Sequence, residues 1–137
     1  MNYKLICLSV LTALFSCQSK STTETDKNSY ESAKSTLLEK EKKSPVSFLV
    51  VTGHDKHNLI GQMVIRGSVT NKATVASFKD VDVKLDFYSK TGTLLETDRE
   101  TVYEVIAPGE SKSFKTKYFA PKGTDSVALH VLAAKPL

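Results

Sequence analysis

"VDVKLDFYS", residues 81–89, alternates apolar and polar side chains without a break. Val81, Val83, Leu85 and Phe87 fall on one side; Asp82, Lys84, Asp86 and Tyr88 fall on the other. A strand sends successive side chains to opposite faces, so this stretch predicts a strand with one face buried and one in solvent. The same period recurs outward in both directions. In "MVIRGSVTN", residues 63–71, Met63, Ile65, Gly67 and Val69 oppose Val64, Arg66, Ser68 and Thr70. In "SFKTKYF", residues 113–119, Phe114, Thr116 and Tyr118 oppose Ser113, Lys115, Lys117 and Phe119. In "SVALHVLA", residues 126–133, Val127, Leu129 and Val131 oppose Ala128, His130 and Leu132.

Turn chemistry separates these segments. Thr91-Gly92 suits a hairpin, and Ala107-Pro108-Gly109-Glu110 has the proline and glycine positions of a type II turn. Lys122-Gly123-Thr124-Asp125 reads as another loop. Short strands, regular turns and no strong helical pattern beyond residue 46 predict an all-β fold. The expected architecture is an immunoglobulin-like antiparallel β-sandwich of about seven strands. The strands are expected near 47–54, 60–71, 79–89, 93–98, 100–106, 110–119 and 125–134. Tryptophan is absent and the two cysteines, Cys7 and Cys17, both precede this region. A core of Val, Leu, Ile and Phe must therefore hold the sheets together without a disulfide.

The chain of 137 residues divides into three parts by composition. Residues 1–16 hold Lys4, an apolar run from Leu5 to Phe15 that is too short to span a bilayer, and Ser16. Residues 17–45 are rich in Ser, Thr, Lys and Glu, with too few apolar groups for a core of their own, and predict a polar tether. Within it, residues 29–43 predict a short frayed helix with Ser29 as N-cap and Lys40, Lys42 and Lys43 near its end. Residues 46–137 form the expected sandwich.

Leu14-Phe15-Ser16-Cys17 resembles a bacterial lipobox. That resemblance implies that residues 1–16 are a signal peptide and that Cys17 is lipidated and cut free at its amino side. It also implies an extracytoplasmic protein held on a membrane of the cell envelope. Gln18, rather than aspartate, follows Cys17, which in such lipoproteins favours the outer membrane where there is one.

A second resemblance lies in the sandwich. Gly67, Val69 and Asn71 at alternate positions are followed by Val81, Val83, Leu85, Phe87 and Tyr88. Then come Gly92, Leu94, Leu95 and the Pro108-Gly109-Glu110 turn, with Phe114 four residues after Glu110. The series is similar to the FxLyD-type domain, an immunoglobulin-like module of secreted and lipid-anchored prokaryotic proteins. The resemblance implies a binding or envelope-assembly role and carries no catalytic residues.

Motifs of catalysis are missing from the residues. No G-x-S-x-G setting, phosphate-binding glycine loop or spaced calcium loop occurs. His54 and His57 read as polar loop residues, since an odd separation on a strand sends them to opposite faces. The acids Asp80, Asp82, Asp86, Asp98, Glu100 and Glu104 read as solvated charge. The net charge of +4 is spread along the chain, which argues against nucleic acid as a partner. No cofactor or metal is expected, and the chain reads as a non-catalytic protein with an envelope protein as partner. Tyr88, Tyr103, Tyr118 and Phe119 cannot all enter one core. They form a candidate binding surface for a protein or sugar, or else flank the core at the sheet ends, and a carbohydrate- or small-ligand-binding module is the alternative function.

Overall fold

The computed structural model describes residues 22–137, with side chains from residue 26 onward. The expected signal peptide, residues 1–16, and Cys17 lie outside the described residues. Helix α1 (Thr22–Lys43) leads through a 3-10 turn (Pro45–Phe48) into six strands: β1 (Leu49–His57), β2 (Met63–Asn71), β3 (Phe78–Ser89), β4 (Leu94–Val102), β5 (Ser111–Tyr118) and β6 (Thr124–Pro136). They form two antiparallel three-stranded sheets, ordered β1-β2-β5 and β4-β3-β6. The β2–β5 and β3–β6 pairs cross between strands distant in sequence and match the B–E and C–F pairings of immunoglobulin sandwiches.

The alternation of residues 81–89 becomes burial directly. Val81, Val83, Leu85 and Phe87 are essentially inaccessible to solvent, as are Met63, Ile65 and Val69 on the facing sheet. Two glycines let the sheets and side chains close. Gly53 and Gly67 are cross-strand partners. A Cβ on Gly67 would lie 2.4 Å from the ring of Phe114, and one on Gly53 would lie 2.5 Å from Leu129. Both aromatic and aliphatic neighbours therefore occupy the space that a side chain would take.

Six strands stand where about seven were expected. The expected segments 93–98 and 100–106 merge into one strand, β4, which runs through Asp98, Arg99 and Glu100, paired with Leu85, Lys84 and Val83, and ends at Val102, leaving 103–106 outside it. Polar residues in place of alternation look like a break, but β4 is an edge strand, and charge on an edge is compatible with pairing on its other side. The Ala107–Glu110 turn forms as expected, with the Glu110 N–H donating to Ala107 O at 2.9 Å and Gly109 at φ 76°.

The polar segment before the sandwich is more ordered than its composition predicts. Its helix begins at Thr22 rather than near Ser29, and its last turns are docked. Leu38 packs against the core, and Glu41 is 1% exposed. The Glu41 carboxylate accepts three consecutive backbone N–H groups: Thr74 at 2.7 Å, Val75 at 2.9 Å and Ala76 at 2.7 Å. Burial raises the Glu41 pKa, but these bonds outweigh it and hold the carboxyl below its ordinary value. The spacer reading of residues 17–45 is thus corrected at its C-terminal end, because Glu41 is a structural part of the folded unit. Asn71 completes the clamp from below. Its side chain is buried, donates to Ala76 O and Ile106 O, and accepts from the Ala73 N–H, so the 72–76 loop is held from two sides.

Candidate functional site

The sandwich has two outward faces, and they differ in how their charges are used. On the β4-β3-β6 sheet, the polar residues of β3 find partners across the strands. Asp86 is only 3% exposed and accepts from the Thr97 hydroxyl at 2.7 Å, with Lys84 Nζ 2.7 Å away and His130 Nε2 3.9 Å away. The bond from Lys84 holds the Asp86 carboxyl below its ordinary range; burial opposes this and Thr97 adds to it. Asp82 accepts from the Thr101 hydroxyl at 2.6 Å, and Arg99 lies 3.7 Å off.

The outward face of the β1-β2-β5 sheet is different. Register places His54 beside Arg66 and Arg66 beside Lys115; one step along, Lys56 flanks Val64, which flanks Lys117. The remaining outward positions are Val50, Thr52, Ser68, Thr70, Ser111 and Ser113, so no carboxylate shares the face. None of Lys56, Arg66, Lys115 and Lys117 forms an ion pair among the described residues. Two open recesses meet on this face. One, of about 540 Å³, runs from His54 and Arg66 to His57 and Leu59; the other, of about 810 Å³, runs from Arg66 and Lys115 over Gly67 and Ser113. This cationic surface is the candidate site. The sequence distributes its lysines and arginine over three separate strands, and only the non-local β2–β5 pairing gathers them, so the charge that reads as dispersed along the chain is concentrated in space.

The aromatic residues singled out from sequence are divided between the two ends of the sandwich, Tyr103 at one and Tyr88, Tyr118 and Phe119 at the other. Tyr103 follows Val102, which pairs with Val81, whereas Tyr88 pairs with Leu94 at the other end of β3. Seven residues of strand separate those ends, roughly 23 Å. Tyr118 is partly buried and meets Phe87 edge-to-face, with ring centroids 5.8 Å apart. Its hydroxyl lies 3.2 Å from Glu100 Oε2 and 3.3 Å from Arg99 O. Burial, with nearby Glu100 and Asp98, pushes its pKa up to about 12, so it stays neutral. Phe119 and Tyr103 are each 77% exposed, at opposite ends of the sandwich.

His54 and His57 lie on β1, not in a loop. Among the described residues, no group of three or more His, Cys, Asp or Glu side chains converges in a way that would hold a metal ion. The acids have separate partners: Asp80 pairs with Lys135, Glu104 approaches Lys112, and Glu100 faces Tyr118. No helix among the described residues is long and apolar enough to cross a membrane.

No family model matches the chain. No curated protein matches it. Among solved structures, it is similar to the Salmonella enterica trimeric lipoprotein SadB, at 10% identity and a TM-score of 0.43, over 80% of this chain and 74% of that one.

Proposed function

We propose that the protein is a lipid-anchored, extracytoplasmic β-sandwich that acts as a non-catalytic binding or envelope-assembly module. Its signal peptide would end at Ser16, and Cys17 would carry the lipid that fixes it to an envelope membrane, the outer one where two exist. The observation that carries this reading is the route of the chain. An apolar run closing on Cys17 is followed, from Thr22, by a helix that docks on one end of the sandwich through Glu41. The opposite end, with the β1–β2 hairpin and the β5–β6 loop, carries exposed Leu59, Ile60 and Phe119. The docked end of α1 and this exposed apolar end are thus at opposite ends of the described fold, which supports a module that presents a surface away from the point where its leading segment enters. The resemblance of residues 67–114 to FxLyD-type domains, read from the sequence alone, implies the same role.

The test is metabolic labelling with a radioactive fatty acid. Wild-type protein should take up label and shift to the processed size, whereas Cys17→Ser should take up none and accumulate as precursor. Equal label on both would end the lipoprotein reading.

A further inference from the structure

The cationic face and the hairpin at its end carry an inference beyond anchoring. We propose that the outward face of the β1-β2-β5 sheet, led by the Leu59–Ile60 tip, seats on an anionic phospholipid bilayer. Three observations converge on that occupant.

The first is unopposed charge. Lys56, Arg66, Lys115 and Lys117 share a face without a carboxylate, and Arg66 and Lys115 are direct cross-strand neighbours. Like charges in that position repel, so the fold gains nothing from the arrangement. A surface of phosphodiester headgroups complements it, and each basic side chain brought to such a surface strengthens binding about fivefold.

The second is an ordered apolar tip. Leu59 is fully exposed and Ile60 is 72% exposed. They are not on a loose loop: the Asn58 side-chain oxygen accepts from the N–H groups of Ile60 at 3.1 Å and Gln62 at 2.9 Å, and its amide reaches Gln62 Oε1 at 3.1 Å. The Asn58 N–H also donates to Gln62 O at 2.8 Å. The turn is built to hold two aliphatic side chains in water, directly beside Lys56 and His57. Phe119, 77% exposed, follows Tyr118, the partner of Met63, at the same end of the sheet. Apolar side chains rimmed by cations are the pattern that enters the headgroup–acyl boundary of a bilayer.

The third is what the face lacks. Its outward positions on β1, β2 and β5 hold no Phe, Tyr or Trp, and the imidazole of His54 is the one ring among them. Binding to single-stranded nucleic acid or to a sugar relies on aromatic stacking beside the charge. A bilayer needs only cations and an aliphatic wedge.

This inference uses the proposed lipoprotein reading only to place the domain in a cell envelope; the bilayer that the tip meets need not be the one that would hold Cys17, and the test separates the two readings. The soluble form beginning at Gln18 retains every described residue and has no lipid. It is mixed with phosphatidylcholine vesicles, with and without phosphatidylglycerol, and bound protein is measured by flotation. Binding is expected only with phosphatidylglycerol and should weaken as salt rises. Combined Arg66→Ser, Lys115→Ser and Lys117→Ser should reduce affinity about a hundredfold. Leu59→Ser with Ile60→Ser should reduce it about tenfold or more while leaving the salt dependence in place. Thermal unfolding of each variant, matching the wild type, shows that the fold is intact; a misfolded triple variant is replaced by Lys115→Ser alone, for which a fivefold loss is expected. Equal binding to neutral and anionic vesicles, no binding to either, or an unaltered affinity in the tip variant would overturn the proposal. So would equally tight binding to duplex DNA that ignores Leu59 and Ile60. None of these outcomes touches the fatty-acid labelling of Cys17.

Discussion

The two outer faces of the sandwich have the same pleat and similar numbers of charged groups, yet they use charge in opposite ways. On the β4-β3-β6 face, Asp86 and Asp82 are each satisfied by a threonine hydroxyl across the strand and approached by a base. On the β1-β2-β5 face the bases stand together without an acid. Charge that is paired inside one sheet serves that sheet; charge left unpaired is available to something outside it. The contrast separates the part of the surface that belongs to the fold from the part that a partner can use.

Mutations can break or sharpen that contrast. The interior sets the upper end of the scale: Phe87→Ala, one residue from Asp86 but on the buried side, should destabilise by about 3–5 kcal/mol in a denaturant titration. A smaller loss would mean that β3 is not the central strand of the core. Next comes the helix clamp. Glu41→Gln places an amide donor against backbone N–H groups, and should cost about 2–3 kcal/mol, the loss of hydrogen bonds to a charged acceptor. Faster hydrogen exchange at the Thr74–Ala76 amides should accompany it, and unchanged protection there would refute the docking of α1.

On the paired face, Asp86→Ala should cost about 1–2 kcal/mol, since it strands Lys84 and Thr97. Both carboxyls have folded pKa values below their ordinary ones, 4.5 for Glu41 and 3.8 for Asp86. The stability they supply is therefore complete above those ordinary values and drains as pH falls through the folded ones. The wild type should lose stability in that acid range more steeply than a Glu41→Gln, Asp86→Ala double variant. Equal acid profiles would remove both groups from the stability of the fold. Smallest of all is the unpaired face, where Lys115→Ser should move stability by no more than about 0.5 kcal/mol, and upward at low salt because a like-charge contact is relieved. A clear loss would show that Lys115 has a structural partner after all.

The sandwich was legible because strand period is local. Residues 63–71 and 81–89 declare their buried sides by alternation, and the Pro108-Gly109 turn declares itself by residue type. Two features were hidden for the same physical reason: they are made by pairs distant in sequence. Glu41 reads as one acid among lysines, because its partners are backbone N–H groups 33–35 residues away and backbone leaves no trace in side-chain pattern. The cationic face is written on three strands that only the fold makes neighbours. In β4, "ETDRE" erased the alternation because an edge strand need bury little, so one strand looked like two. Tyr103 fell at the other end from Tyr88 and Tyr118 because residue type says nothing of which end of a sheet a position occupies.

Helix α1 has a consequence for direction. It runs 22 residues, about 33 Å at 1.5 Å per residue, and Glu41 fixes its end to the 72–76 loop. With 3.6 residues per turn, one residue added to that rod turns the sandwich by about 100° around the rod's axis while raising it only ~1.5 Å. Seven added residues nearly restore the original heading. The length of α1 therefore acts as a compass setting as well as a height: it decides which way Arg66 and Lys115 look from whatever holds the helix at its start.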